Sequence, residues 1–215
     1  MAGSKLVSDT QGKPDLVRQL DFAKYGLAPL KDQPLNTWQD ADIEKLIEAF
    51  ASENIAPVIY GLAFNPTNVK GLLGLSHCRR CGKCCQPNPS KPEHPGVIVS
   101  EHDLKQIARN PGYNLKQLKK RTHVSKDPDF IQGTYLPLPC IFYDKKAGAC
   151  RIYEVRPLVC TTFPVTDIPG RVGVAVSVGC DYGKDIYKRI LDRMRKQKDG
   201  ISPQRTSASL RNPRS

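Results

Sequence analysis

The sequence predicts an α+β fold, a small domain with short helices set around a small β-sheet, and three observations carry that prediction. Apolar residues recur at helical spacing in two stretches: Ile43, Leu46, Ile47 and Phe50, then Tyr187, Ile190, Leu191 and Met194. The run RVGVAVSVGC (171–180) alternates and is rich in β-branched residues, and CIFYDKKAGACRIY (140–153) reads as two β-prone flanks around a turn near Lys145 to Gly148. The third observation is a shortage. Over 215 residues the hydrophobic content is 39% and the aromatic content 7%, so cross-links have much to contribute to a lean core.

The elements follow in order. Residues 1–36 are polar and interrupted by Pro14, Pro29 and Pro34, which predicts an arm that is extended or disordered unless it docks. Thr37-Trp38-Gln39-Asp40 resembles a capping box and opens the first amphipathic helix, so 37–76 reads as a helical segment packed on the core. Within it IAPVIYGLAF (55–64) is apolar but ambiguous between helix and strand. From 77 to 199 runs a cysteine-bearing domain that ends in a basic helix. Its QPNPSKPEHPG (86–96) is a proline-rich loop, Val97-Ile98-Val99 a short strand, and Ser100-Glu101-His102-Asp103 a second capping box before Leu104 and Ile107. NLKQLKKR (114–121) is a short helix with a solvated basic face, and RPLVCTTFP (156–164) a helical turn closed by proline. The last stretch, 200–215, is poor in apolar residues and reads as a disordered tail.

Eight cysteines punctuate the second domain. Four stand in CRRCGKCC (78–85), spaced C-x2-C-x2-C-C, and the others are Cys140, Cys150, Cys160 and Cys180. A C-x2-C-x2-C turn aims successive thiolates at one point, with Gly82 relieving the tight backbone and amides facing inward toward sulfur. Related runs hold [4Fe–4S] clusters, and tetrathiolate zinc needs only four convergent sulfurs, so spacing alone leaves both metals open. Neighbouring side chains diverge, which predicts that Cys84 and Cys85 split, one joining Cys78 and Cys81 and the other reaching the second half. A hairpin centred at residue 145 makes Cys140 and Cys150 cross-strand partners. A disulfide between those two is the competing account, and it leaves 78–85 unexplained.

The first residues, MAGSKLVSDTQGKPD, lack the apolar stretch of a signal peptide, and no apolar run approaches the ~20 residues that cross a bilayer. The expectation is a cytoplasmic protein, and in a reducing compartment clustered thiols are metal ligands more often than disulfides. The formal charge is +12. From Lys184 onward ten Lys/Arg face three Asp/Glu, a net of +7; the preceding residues hold 23 basic and 18 acidic side chains, a net of +5. Two four-thiolate centres at −2 each would leave that body near +1. The basic character therefore belongs mostly to the tail. Arg79, Arg80, Lys83, Arg151 and Arg156 lie close to the cysteines in sequence, where cations would offset an anionic site.

The combination of CRRCGKCC, then PCIFYDKKAGACRIYEVRPLVCTTFP (139–164), then Cys180 resembles the YkgJ-type cysteine-cluster family, described as zinc- or iron-chelating. Cys150, Ile152, Tyr153, Arg156, Pro157 and Cys160 fit its C-x-I-Y-x-x-R-P-x-x-C motif, while Thr161 stands where members often carry arginine. The resemblance covers about residues 78–180 and implies that all eight cysteines are metal ligands, with Arg156 beside them. The similar flagellin lysine N-methylases make an iron–sulfur cluster the implied cofactor, with zinc the alternative.

Two functions are expected on this basis. One is an iron–sulfur protein, [4Fe–4S], in electron transfer or as a component of a protein-modifying or maturation system, working with a protein partner. The other is a structural zinc module whose basic helix and tail bind RNA, ribosome or an acidic protein. No aromatic residues interleave the tail's charges, so nucleic acid is the less favoured partner. Glycine-rich nucleotide or S-adenosylmethionine loops, G-x-S-x-G, H-E-x-x-H and a P-loop are all missing from the sequence, so enzyme activity stays open.

Overall fold

A computed structural model describes residues 20–87, 94–128, 130–168 and 170–196. The expected tail (200–215), the first nineteen residues of the arm and the middle of the proline-rich loop (88–93) lie outside the described residues. The fold is α+β, with short helices and three small antiparallel sheets arranged around two hydrophobic cores.

The first core is built by α1 (Asp40–Ser52), β1 (Val58–Tyr60), α2 (Pro66–Leu73) and three later elements, β7 (Val165–Asp167), β8 (Gly173–Val176) and α6 (Asp181–Lys196). Ile43, Leu46, Ile47 and Phe50 are all buried, as their spacing predicts. Tyr187, Ile190 and Leu191 of α6 meet them, and the Phe50 and Tyr187 rings cross edge to face at 6.0 Å. Lys184–Glu48 and Lys188–Glu44, each at 2.6 Å, line the outer edge of this helix pair. The sheet has order β1-β8-β7, and Val174 and Val176 of the central strand β8 are fully buried, as is Val165 of β7.

The helix start differs from the sequence reading. Gln39, not Thr37, precedes the first turn, and the Asp42 carboxylate accepts its amide at 2.9 Å. Thr37 instead closes a 3-10 turn (Leu35–Thr37), its hydroxyl donating to the Pro34 carbonyl at 2.8 Å. The described part of the N-terminal arm docks: Leu20, Phe22 and Leu27 are buried in this core, and Phe22 meets Trp38 edge to face at 6.3 Å. The ambiguous 55–64 stretch supplies strand β1.

The second core gathers β2 (Val97–Ile98), α3 (Glu101–Ala108), α4 (Leu115–Lys120), β3 (His123–Ser125) and β4 (Gly133–Leu136), with sheet order β2-β4-β3. The Ser100 capping box forms as expected: the Ser100 hydroxyl accepts the Asp103 amide at 3.1 Å, and the Asp103 carboxylate accepts the Ser100 amide at 2.8 Å. The hairpin pairs β5 (Tyr143–Asp144) with β6 (Ala149–Cys150). Asp144 caps its turn by accepting the Lys146 and Ala147 amides at 2.9 and 3.0 Å. This register corrects the expected pairing. Cys150 lies opposite Tyr143, not Cys140, because Cys140 belongs to the tight turn before the strand, where its carbonyl accepts the Tyr143 amide at 3.0 Å.

Between the two cores runs α5 (Leu158–Thr162), which touches β2 of one and β7 of the other. Its first amide, Leu158 N–H, donates to the Asp103 carboxylate at 3.0 Å. No helix among the described residues is long and apolar enough to cross a membrane.

Candidate metal centre

All eight cysteines line one cavity of about 80 Å³ at the seam between the two cores. No disulfide joins them. Different elements deliver them: the loop after α2 carries Cys78 to Cys85, the turn before β5 carries Cys140, β6 carries Cys150, α5 carries Cys160, and Cys180 precedes α6. Val97, Leu136, Phe142 and Ile152 add an apolar wall.

The loop's shape follows from its sequence. Arg80 (φ +55°) and Gly82 (φ +73°) are both left-handed, and a 3-10 turn (Lys83–Cys85) closes it with the Cys85 amide on the Gly82 carbonyl at 2.9 Å. The Arg80 amide donates to Cys78 Sγ at 3.4 Å, an inward amide of the kind that C-x2-C turns present to sulfur. Tyr143 packs on Gly82 so closely that a Cβ there would stand 2.1 Å from the ring.

The loop's basic residues divide their work. Arg79 pairs with Asp185 at 3.1 Å and Asp181 at 3.9 Å, and Lys83 pairs with Asp181 at 3.3 Å. Ser76 also donates to Asp185, at 3.1 Å, and the Tyr182 hydroxyl donates to the Leu73 carbonyl at 2.8 Å. These contacts clamp the front of the loop to the start of α6. There Cys180, only 5% exposed, accepts the Gly183 amide on its sulfur at 3.4 Å. Arg80 and Arg156 each stack on Tyr153, with guanidinium carbons 4.0 and 3.9 Å from the ring centroid. Two groups of that size cannot share one face, so the ring is held between them. Arg151 donates to the Ile141 carbonyl at 2.7 Å. Of the five cations that sequence places near the cysteines, Arg156 presents its charge to Cys84, Cys150 and Cys160 together.

The thiols are electrostatically unequal. Cys85 lies between the thiols of Cys84 and Cys140, and sharing protons among the three pulls Cys140 down to about 6 and Cys84 down to about 7, while the Cys85 thiol is pushed well above the usual range. Burial pushes Cys160 up to about 12, Cys180 up to about 11, and Cys150 upward. The Cys84 and Cys85 sulfurs stand 4.0 Å apart, closer than divergent neighbours would be. Cys140 and Cys84 thus give up their protons more readily than the buried thiols, whose protons a binding cation would have to displace.

Whether this donor set suits a metal is answered by an orphan. Arg156 Nε is buried with no hydrogen-bond partner. A buried guanidinium N–H without an acceptor costs several kcal/mol in order of magnitude. The thiolates of Cys84, Cys150 and Cys160, to which Arg156 presents its charge, and any anionic group that they bind would supply such an acceptor. No three Cys, His, Asp or Glu side chains among the described residues already form a closed metal cage. The soft, thiol-rich wall nevertheless fits zinc or iron–sulfur chemistry better than it fits hard, oxygen-preferring cations.

A seam walled by thiols between two small cores defines a cysteine-cluster metal-binding protein. The chain belongs to the CxxCxxCC family, described as "Putative zinc- or iron-chelating domain", whose model matches residues 77–189. It is also 34% identical over 93 residues to an uncharacterized protein of Methanocaldococcus jannaschii. That match covers 41% of this chain and 43% of the relative, so the chain spans less than half of the curated protein's length. No solved structure matches it.

Several contributors escaped the sequence reading. Asp181 and Asp185 anchor the loop, Tyr143 supports Gly82, and Asp103 holds the first turn of α5. Asp181 directly follows a cysteine and sits in a helix start, which is the one local signal that could have marked it.

Proposed function

We propose that the chain holds an iron–sulfur cluster, [4Fe–4S], on cysteine thiolates drawn from Cys78, Cys81, Cys84, Cys85, Cys140, Cys150, Cys160 and Cys180. Its role on this reading is electron transfer, or service within a protein-modifying or maturation system, in the cytoplasm and with a protein partner. The observation that carries the reading is the buried, unpartnered Arg156 Nε facing a thiol cavity. A cluster brings acceptor sulfides as well as thiolates, and N–H donors to sulfur raise its reduction potential. When bound, such a cluster supplies one-electron transfer. The chain's own residues do the rest: Cys84 and Cys140 enter as thiolates, Leu136, Phe142 and Ile152 exclude water, and Arg156 balances negative charge.

One observation favours a second reading. The thiols lie between two cores that share few other contacts, which suits a redox-silent zinc staple, worth ~10 kcal/mol or more of folding free energy. Function would then reside in the basic surfaces, binding RNA, ribosome or an acidic protein.

Iron, acid-labile sulfide and zinc per chain, counted on protein purified without oxygen, separate the two. Iron and sulfide at four or eight with a broad band near ~400 nm support the cluster. Zinc at one or two without colour supports the staple. Cys81→Ser and Cys150→Ser should each lower metal content and melting temperature, and unchanged metal in both would sink either reading.

A further inference from the structure

Two helices of the chain are rich in cations, and their surroundings differ. On α6, Lys184, Lys188 and Arg195 meet Glu48, Glu44 and Asp40 of α1, each at 2.6 Å. Among the described residues α4 has one carboxylate partner, Glu101, which Lys119 at 3.0 Å shares with Lys105 at 3.4 Å. Lys116 and Lys120 are exposed and have no such partner there. Spacing puts Lys116, Lys119 and Lys120 on one face, at i, i+3 and i+4, with Leu118 buried behind them. Like charges so spaced weaken a helix, and α4 has only six residues. Helix polarity accounts for Lys119 and Lys120 in the last turn, but not for Lys116 in the first, where a cation is unfavourable. With Leu115 the three lysines line an open groove. The chain then passes through Arg121, also exposed, into β3, an outer strand of its sheet, where Val124 faces solvent.

We infer that this lysine face of α4 is the docking surface for an acidic protein. Lysines set around an apolar side chain complement a protein surface whose carboxylates surround an apolar residue. Nucleic acid fits less well, because the nearby rings are already engaged within the fold. Tyr113 lies edge to face on Phe142 at 5.4 Å, and His123 stacks on Tyr135 at 6.1 Å, which leaves no free platform for bases. A second copy of the chain also fits less well, since α6 already neutralises the acidic residues Asp40, Glu44 and Glu48 of α1. The place of the face gives docking a purpose. Leu118 belongs to the second core together with Phe142 and Ile152, and those two line the thiol cavity. A protein seated on α4 is thus separated from the cavity by the side chains of this small core. Resting on the cluster reading above, the acidic partner is the protein that exchanges electrons with the centre.

The test uses the anaerobically purified full chain and, as probe, a strongly acidic ferredoxin. Carbodiimide joins carboxylates to amines in direct contact, and mass spectrometry should map the coupled ferredoxin to Lys116, Lys119 or Lys120. Binding followed by calorimetry should weaken as salt rises, and Lys116→Glu with Lys120→Glu should weaken it about ten-fold or more. Lys31→Glu with Lys45→Glu alters net charge equally at exposed lysines elsewhere, and should leave affinity within about two-fold. Metal content should be the same in both variants as in the unaltered chain. If the first pair loses metal, Lys116→Gln with Lys120→Gln replaces it, with the same loss of affinity expected in smaller degree. The inference is overturned if the ferredoxin does not bind, or if both charge-reversed pairs weaken binding alike. Coupling that maps to residues from Lys184 onward overturns it, as does single-stranded RNA that binds more tightly than ferredoxin through the same lysines. A chain that binds ferredoxin through α4 but carries no metal keeps the docking surface and overturns the metal-binding reading, a different failure.

Discussion

Gly82 answers two demands that no other residue type meets. Its φ of +73° lies where side chains are strained, and its missing Cβ leaves room for the Tyr143 ring, 2.1 Å from where that atom would be. Gly82→Ala should therefore cost about 1–3 kcal/mol and lower metal retention, read by chemical denaturation and metal analysis. Adding Tyr143→Ala should recover part of the loss, because the clash goes while the strain stays. Failure of the double variant to improve on the single one would assign the cost to φ alone. Arg156 makes a different prediction. If its Nε donates to cluster sulfur, Arg156→Gln should lower the midpoint potential in a redox titration while most of the metal remains. An unchanged potential would remove it from the cluster's surroundings. The sequence marked both residues, Gly82 by its place in a C-x2-C turn and Arg156 by its motif. It did not mark Tyr143 as the support, since a partner sixty residues away leaves no local trace.

At the scale of elements, α5 is a five-residue helix that carries Cys160 and owes its position to a neighbour. Asp103 accepts the Ser100 amide and hydroxyl and the Leu158 amide, joining two helix starts with one carboxylate. Burial disfavours its charge, but these donors win and hold its carboxyl below the usual aspartate range. A depressed carboxyl stabilises the fold above its unfolded value and loses that contribution as pH falls through the folded one. Asp103→Ala should cost about 1 kcal/mol at neutral pH, with the deficit fading as pH drops below about 4. Parallel urea titrations of both proteins would show it, and a constant deficit at all pH values would point to lost packing instead. Which elements could be read in advance follows from range. The helices of Ile43–Phe50 and Tyr187–Leu191 and the Ser100 box depend on residues three or four apart, and the sequence displays them. Hairpin register depends on where the turn begins, and Asp144, not residue 145, sets that; so Cys140 was misplaced against Cys150. Thr37 offered a cap of the right type, but Pro34 captured its hydroxyl.

For the whole molecule the lesson is a division that composition hinted at and no motif revealed. The lean hydrophobic content is split between two small cores, and the cysteines gather where they meet. Membership of the cysteine family was legible from CRRCGKCC and the second motif, whereas the seam needs contacts among residues a hundred positions apart. Removing metal with a chelator should therefore loosen the seam before it melts either core. Hydrogen exchange should rise first in 78–85 and α5, while the facing amides of α1 and α6 stay protected. Uniform loss of protection would mean that metal sustains the entire fold.

The distance along the chain between the two halves of the site sets a timetable. About 95 residues separate Cys85 from Cys180. At synthesis rates of roughly 5–20 residues per second the first four thiols leave the ribosome some ~5–20 s before the last one. During that interval the part of the cavity lined by Cys180 is missing, and the hairpin cysteines emerge before it. On the metal-binding reading the cavity is therefore complete only when the final helix turns back onto the loop.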